Sequence, residues 1–170
     1  SLEALNAGIP VELSAPPPGR WDTPSGRIEL LNPKLDPPLP DYRERHAEQP
    51  ALPFSLMTAP SMYGLNSSFH EQERLRTLAK GMLLLMNPDD AAARGLRDGQ
   101  PVVARNEWGE VDFQLSLTPK VPPAVVVAEG VWWTRFAPGA RTVNALTSQR
   151  LTDLGGGSTF YDNRVEVVPA

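Results

Sequence analysis

The chain has no cysteine and only two histidines, His46 and His70. Disulfides, cysteine-ligated iron–sulfur clusters and a histidine-rich zinc cage are therefore excluded within it. An excess of one charge is also lacking. Sixteen basic and twenty acidic residues are interspersed and give a formal net charge of −4, so no polyanion-binding surface is indicated and nucleic acid is not an expected partner. No apolar run approaches the roughly 18 residues that a membrane-spanning helix needs, so membrane insertion is not expected. The chain opens at Ser1 with neither a twin-arginine segment nor an apolar signal core. That start reads as a cut from a longer polypeptide. The cytoplasm is the default location, and periplasmic export would depend on a signal upstream of Ser1.

Most catalytic signatures are missing too. There is no P-loop, no Gly-x-Gly-x-x-Gly, no His-Glu-x-x-His and no Gly-x-Ser-x-Gly elbow. Without cysteine, a nucleophile–base pair has little to work with. Gly157-Ser158 is similar to the self-cleaving bond of pyruvoyl decarboxylases, which also use a six-stranded barrel, but such a pair is far commoner in ordinary loops.

What is present is proline, unevenly placed. Ten of the nineteen prolines fall in the first fifty residues. Because proline fixes φ and removes a donor, residues 1–50 are predicted to form an extended arm or linker from a preceding domain. Within it, Ser25 to Leu31 reads as a turn followed by a short strand, and Asp41 to Glu48 as a solvated charged stretch. From Ala51 onward short apolar runs alternate with turns, predicting one barrel domain over residues 51–170. Strands are predicted at Leu52–Thr58, Met82–Met86, Pro101–Asn106, Val111–Leu117, Val125–Val127 and Val165–Val167. Along the fourth, the odd-numbered residues should face inward, since apolar Val111, Phe113, Leu115 and Leu117 alternate with polar neighbours. Asn87 as N-cap, Pro88 at the first position, Asp89 and Asp90 in the first turn and Gly95 beyond predict a helix over Asp89–Arg94. A second helix is predicted over Gln72–Lys80. No internal repeat is evident. Many short strands with one or two short helices argue for a mainly β fold closed as a barrel.

The polar, uncharged residues cluster in loops. Thr58, Ala59, Pro60, Ser61, Met62, Tyr63, Gly64, Leu65, Asn66 and Ser67 follow the first strand and offer hydroxyls, an amide and backbone donors. A ligand carrying a pyrophosphate and a heterocycle needs such neutral donors; a plain surface loop has the same composition. A second cluster runs from Asn144 to Ser148 and from Leu151 to Tyr161. Its glycines Gly155, Gly156 and Gly157 permit either close backbone approach to a ligand or simple flexibility. Trp132, Trp133 and Phe136 suit a core or an interface. Arg135, Arg141 and Arg150 could face phosphates or be solvated, and His70 with Glu71 reads as a surface pair.

The run from Asn87 to Val102, Asn-Pro-Asp-Asp-Ala-Ala-Ala-Arg-Gly-Leu-Arg-Asp-Gly-Gln-Pro-Val, resembles the Asn-Pro-x-Asp-Ala-x-x-x-Gly-Ile-x-Asp-Gly-Asp-x-Val element of the dimethyl sulfoxide reductase/formate dehydrogenase superfamily. A strand and loop before it, a Gly-x-Val hairpin after it, the Asn144-Ala145-Leu146-Thr147 element and a closing Val-x-Val strand keep the same order. Thr23 to Glu29 resembles the join into that domain. The resemblance implies a six-stranded double-psi barrel that clasps a molybdopterin guanine dinucleotide (bis-MGD) with molybdenum or tungsten in the full-length enzyme. It implies contacts from the Thr58–Ser67 loop, Phe136, Asn144 and Tyr161. Pro60 and Asn66 stand where many members carry Arg and His, and Tyr161 where Lys is frequent in nitrate reductases. The metal ligand would lie in an earlier domain, so no residue here is assigned a catalytic or metal-ligating role, and the fragment alone is expected to be inactive and to hold no cofactor. Preceding domains of the same polypeptide, and an electron-transfer subunit, are the partners implied. Two other readings are a non-catalytic double-psi barrel serving as a recognition module, and a small separate subunit of a molybdenum or tungsten complex.

Overall fold

A computed structural model describes residues 1–12, 18–39, 41, 52–152 and 155–170. It divides into two compact units, Ser1–Glu44 and Arg45–Ala170. The boundary expected at residues 50 and 51 and the charged residues 42–48 lie outside the described residues, as do Asp153 and Leu154.

The first unit holds one short helix that the proline count does not foretell, α1 (Leu2–Asn6). The Ser1 hydroxyl caps it by accepting from the Ala4 N–H at 3.2 Å, and Glu3 sits in its first turn. The expected turn forms, with Gly26 N donating to Thr23 O at 2.9 Å. The strand expected to follow it over residues 27–31 does not. Its apolar residues Ile28, Leu30 and Leu31 are exposed, and a strand without a pairing neighbour has no ladder to hold it. The Glu29 carboxylate accepts from the Ser25 hydroxyl and from its N–H, and both bonds hold its pKa below the usual carboxylate value.

The second unit is a closed six-stranded barrel. Its strands are β1 (Phe54–Ala59), β2 (Leu83–Met86), β3 (Pro101–Arg105), β4 (Glu110–Leu117), β5 (Val125–Glu129) and β6 (Arg164–Pro169). Around the barrel they run β1-β5-β2-β4-β3-β6. β1 with β5 and β2 with β4 are parallel, and the other neighbours are antiparallel. Exchanging β1, β2 and β3 for β4, β5 and β6 maps every pairing onto another of the same sense. That two-fold exchange is the double-psi arrangement, a repeat of topology that the side chains do not advertise.

Period-two burial fills the interior. On β4, Val111, Phe113 and Leu115 are buried, and Leu117 packs partly buried against the same core. Phe54, Leu56, Leu84, Met86, Val102, Ala104, Val126, Ala128, Val165 and Val167 complete the inward faces. Because the barrel is closed, every strand in it has a neighbour on both sides.

Helix α2 (Glu73–Ala79) ends on Lys80 in the left-handed region, φ 60°. Helix α3 (Pro88–Ala92) starts where its cap and proline dictate but stops two residues short of the expected end; Ala93 to Gly95 form a turn instead. Gly95 adopts φ 66°, and Leu96 N reaches back to Ala91 O at 2.9 Å. That return buries Leu96 and ends the helix early.

The residues of the Asn87–Val102 run act as fasteners of this barrel. Asn87 Oδ1 accepts from Asp89 N at 2.9 Å, while Asn87 Nδ2 donates to Val121 O at 2.8 Å in the β4–β5 connection. Asp90 Oδ2 accepts from Ala124 N, and Asp98 Oδ1 from Leu117 N, both at 2.8 Å. Asn87 is buried, so Asn87→Ala loses a helix cap and orphans a carbonyl. We expect a loss of roughly 2 kcal/mol in urea unfolding, with Asn87→Asp falling between the two because it keeps only the cap. Equal stability of Asn87→Ala and wild type would show that these bonds are not needed.

Candidate functional site

Parallel pairing of β1 with β5 brings the residues after both strands to the same end of the barrel. Ala59 registers with Glu129, and Gly130 N donates to Ala59 O at 2.8 Å. A cleft of about 360 Å³ opens there. From the β1 loop it is lined by Thr58, Ala59, Pro60, Ser61, Gly64 and Asn66; Asn144 and Tyr161 reach it from the far side. Those eight are sequence-proposed contacts brought to one place. Met62, Tyr63, Leu65, Ser67 and Phe136 do not line it. Met62 and Leu65 are exposed, Ser67 offers its carbonyl to Trp133 Nε1 at 2.6 Å, and Phe136 lies beneath two arginines.

Of the other lining residues, Thr147 and Phe160 belong to the second loop cluster and Trp132 was expected in a core or an interface, while Gly130, Val131, Thr142 and Val143 escaped the sequence reading. Only the β1·β5 pairing predicts that the residues after Glu129 belong here, and that pairing spans about seventy residues of chain. Trp132 is half-buried. It packs against the core while lining the cleft, and its Nε1 donates to Glu129 O at 3.2 Å. The glycine run does not line the cleft. Thr152 and Gly157 bond each other twice, at 2.7 and 2.9 Å, and only Gly156 of the three has a positive φ.

His70 corrects the expectation of a surface pair. The residue is 7% exposed, its ring lies 5.1 Å from the Trp132 ring, and its Nε2 has no hydrogen-bond partner among the described residues. Next to it Phe69 is held at φ 74°, uncommon for a bulky residue.

Asn144 is placed by a chain of contacts. It belongs to the short 3-10 turn Val143–Leu146, whose Leu146 is fully buried. Asn106 fastens that turn from the β3–β4 hairpin, donating Nδ2 to Leu146 O at 2.8 Å and to Arg164 O at 3.2 Å. Gly109 in the same hairpin passes so near that a Cβ there would lie 2.9 Å from Ala145 O.

No acidic or basic side chain lines the cleft. The Thr58 and Tyr161 hydroxyls and the Asn66 and Asn144 amides form no hydrogen bond among the described residues. Trp132, Phe160 and Tyr161 supply flat apolar surface, the last two with ring centres 4.4 Å apart. Such a lining offers neutral hydrogen-bonding groups and flat apolar surface, with no carboxylate, imidazole, ammonium or guanidinium among its side chains. No cluster of three or more metal-ligating side chains occurs among the described residues, and none of their helices is long and apolar enough to cross a membrane.

Residues 54–164 match the family model described as "Molydopterin dinucleotide binding domain". The chain is 38% identical over 154 residues to "Probable oxidoreductase YoaE" of Bacillus subtilis, covering 88% of this chain and 22% of that protein. It is 29% identical over 154 residues to "Dimethyl sulfoxide reductase DmsA" of Escherichia coli, covering 86% and 18%. Among solved structures, acetylene hydratase from Pelobacter acetylenicus superposes with a TM-score of 0.78 over 89% of this chain and 24% of that one, at 20% identity. The chain spans about a fifth of the length of these relatives.

Gly109→Ala tests how the far wall of the cleft is held. The added methyl must push the Val143–Leu146 turn away, so we expect a loss of about 1–3 kcal/mol in thermal unfolding and displaced amide resonances at Asn144. Unchanged resonances there would show that the hairpin does not position the turn.

Proposed function

Because the chain belongs to the molybdopterin-dinucleotide-binding domain family, we propose that it clasps a molybdopterin guanine dinucleotide, as bis-MGD with molybdenum or tungsten, within a larger oxidoreductase. The observation that carries this reading is the convergence of four unpartnered neutral groups, on Thr58, Asn66, Asn144 and Tyr161, upon an uncharged cleft at one end of the barrel. The donor set fits the heterocyclic part of such a group. Its hydrogen-bonding edge needs neutral donors and acceptors, and its flat face needs aromatic surface.

When bound, the group supplies two-electron redox chemistry at its metal. This chain's own residues bind, orient and exclude water. Asn66 and Asn144, reaching in from separate loops, fix the rotation of the heterocycle; Thr58 and Tyr161 add a hydroxyl each; Trp132 and Phe160 cover its apolar surface. Pro60 and Ser61 narrow the rim. No side chain of the cleft is assigned to the reaction, and the metal ligand belongs to another part of the polypeptide.

The partners in this reading are the preceding domains of the same polypeptide and an electron-transfer subunit. The small share of each relative that the chain spans supports the first of these. Residues 1–50 would lead into the barrel from a preceding domain. The cytoplasm is the proposed location, which cell fractionation checks.

The test is Asn144→Ala. Loss of one neutral directional contact should weaken binding of 6-hydroxymethylpterin about fivefold, corresponding to ~1 kcal/mol. The same change in the whole oxidoreductase should lower its cofactor content. The unfolding midpoint should hardly move, because Asn144 is exposed and its side chain is unbonded. Pterin affinity indifferent to both Asn144→Ala and Asn66→Ala would sink the reading.

A further inference from the structure

Phe69 and His70 stand inside out. The imidazole is buried against Trp132 with Nε2 unpartnered among the described residues, while the apolar ring beside it is exposed. Sealing a nitrogen from water without a partner costs its desolvation outright, and an apolar ring at residue 70 would avoid that cost. The backbone is constrained at the same place. Asn66 and Phe69 both take left-handed conformations, φ 50° and 74°, and between them Ser68 N donates to Leu65 O at 2.8 Å. Residues other than glycine hold such conformations only where their surroundings impose them.

Gly64 shows where this turn has room to go. Its φ is not positive, and a Cβ built on it would lie 3.7 Å from His70 Nε2 and 3.9 Å from Asn66 O, ordinary van der Waals distances. Neither backbone nor space therefore demands a glycine in this arrangement. Asn66 O, like His70 Nε2, has no hydrogen-bond partner among the described residues. In the tautomer that carries its proton on Nε2 the imidazole is a donor. A donor and an acceptor thus border one gap, the space of the absent side chain.

Closing that gap satisfies both groups with one bond, and only a glycine leaves room for it. The far end of the segment is anchored to α2. Arg76 Nη1 donates to His70 O, and Gln72 N to Phe69 O at 3.1 Å. The turn from Leu65 to Ser68 is therefore the part that moves.

We propose that residues 64–70 form a latch, in which the turn swings over Gly64 until His70 Nε2 donates to Asn66 O. The bond fixes Asn66 where it lines the cleft. His70 is thereby a positioning residue, acting through Asn66 on whatever the cleft holds. The arrangement described above is the open form. An occupant that bonds the Asn66 amide favours the closed one by its differential affinity. The identity of that occupant rests on the cofactor reading; the latch rests on the loop.

Relaxation-dispersion NMR on the 170-residue chain without ligand reads the movement directly. Backbone amides of residues 65–70 should show microsecond-to-millisecond exchange. Gly64→Ala should abolish it, because the methyl fills the gap, yet the unfolding midpoint of that variant should not fall. His70→Phe should abolish it too, and His70→Gln, which keeps a side-chain N–H donor, should restore it in part. Saturating 6-hydroxymethylpterin should quench the exchange in wild type and bring out a slowly exchanging Hε2 proton on His70. Gly64→Ala should bind that pterin about fivefold more weakly. If His70→Phe fails to fold, Gly64→Ala carries the test. Flat profiles at residues 65–70 in wild type, exchange that survives Gly64→Ala, or pterin bound as tightly by that variant overturn the latch. Asn144-dependent pterin binding beside flat profiles ends the latch and leaves the cofactor reading standing. Exchange removed by Gly64→Ala in a chain that binds no pterin does the reverse.

Discussion

The parallel ladder between β1 and β5, from Ser55 opposite Val125 to Ala59 opposite Glu129, sets the position of the near wall of the cleft, against which the Val143–Leu146 turn is then fastened. Two strands that leave the barrel side by side in the same direction deliver their following loops to one end, whatever those loops contain. The ladder needs support, since parallel pairing joins segments distant in sequence and cannot be closed by a turn. That support comes from the β4–β5 connection, pinned by Asn87 and Asp90, which follow the neighbouring strand β2. The family-like run around α3 thus serves the cleft at one remove. It holds the strand that holds the loop.

The segregation of charge follows from the same geometry. A half-enclosed cleft is a poor place for an unpaired guanidinium, because desolvating a charge costs more than a neutral amide can return. Neutral side chains line the interior, while Arg76 and Arg135 lie over aromatic rings that are not part of its lining. The aromatics divide between the two zones at one peptide bond: Trp132 turns into the cleft and Trp133 toward the arginines.

The barrel itself was largely legible in the sequence, for a local reason. Strict alternation from Val111 to Leu117 fixes both the strand and its inward face, and Asn87-Pro88-Asp89 fixes a helix start through caps and dipole. Helix ends were less legible: α3 stops at Ala92 because Leu96 finds the core, a tertiary event that propensity cannot anticipate. The same limit hid His70, whose polar neighbours suggest a surface, and Trp132, whose place depends on β1 meeting β5. Asn144 and Tyr161 were nameable only through the order of motifs; nothing in their local chemistry distinguishes them from other loop residues. Unpaired, the apolar residues of 28–31 never became the strand that their composition suggested.

Barrel order also governs when this unit can come into being. Of the neighbouring pairs, only β3 and β4 are consecutive in sequence and joined by a short turn. β6 seals the barrel by pairing with both β1 and β3. From the synthesis of Phe54 to that of Pro169 a ribosome translating at about 5–20 residues per second needs on the order of ten seconds. Throughout that interval one side of β1, and from the synthesis of Arg105 onward one side of β3, lack their final neighbour, and their apolar faces have nothing to close against. A topology so rich in distant pairings also closes slowly once complete. Nascent chains of this kind therefore carry two open strand edges as a matter of timetable, a period in which chaperone contact competes directly with edge-to-edge association.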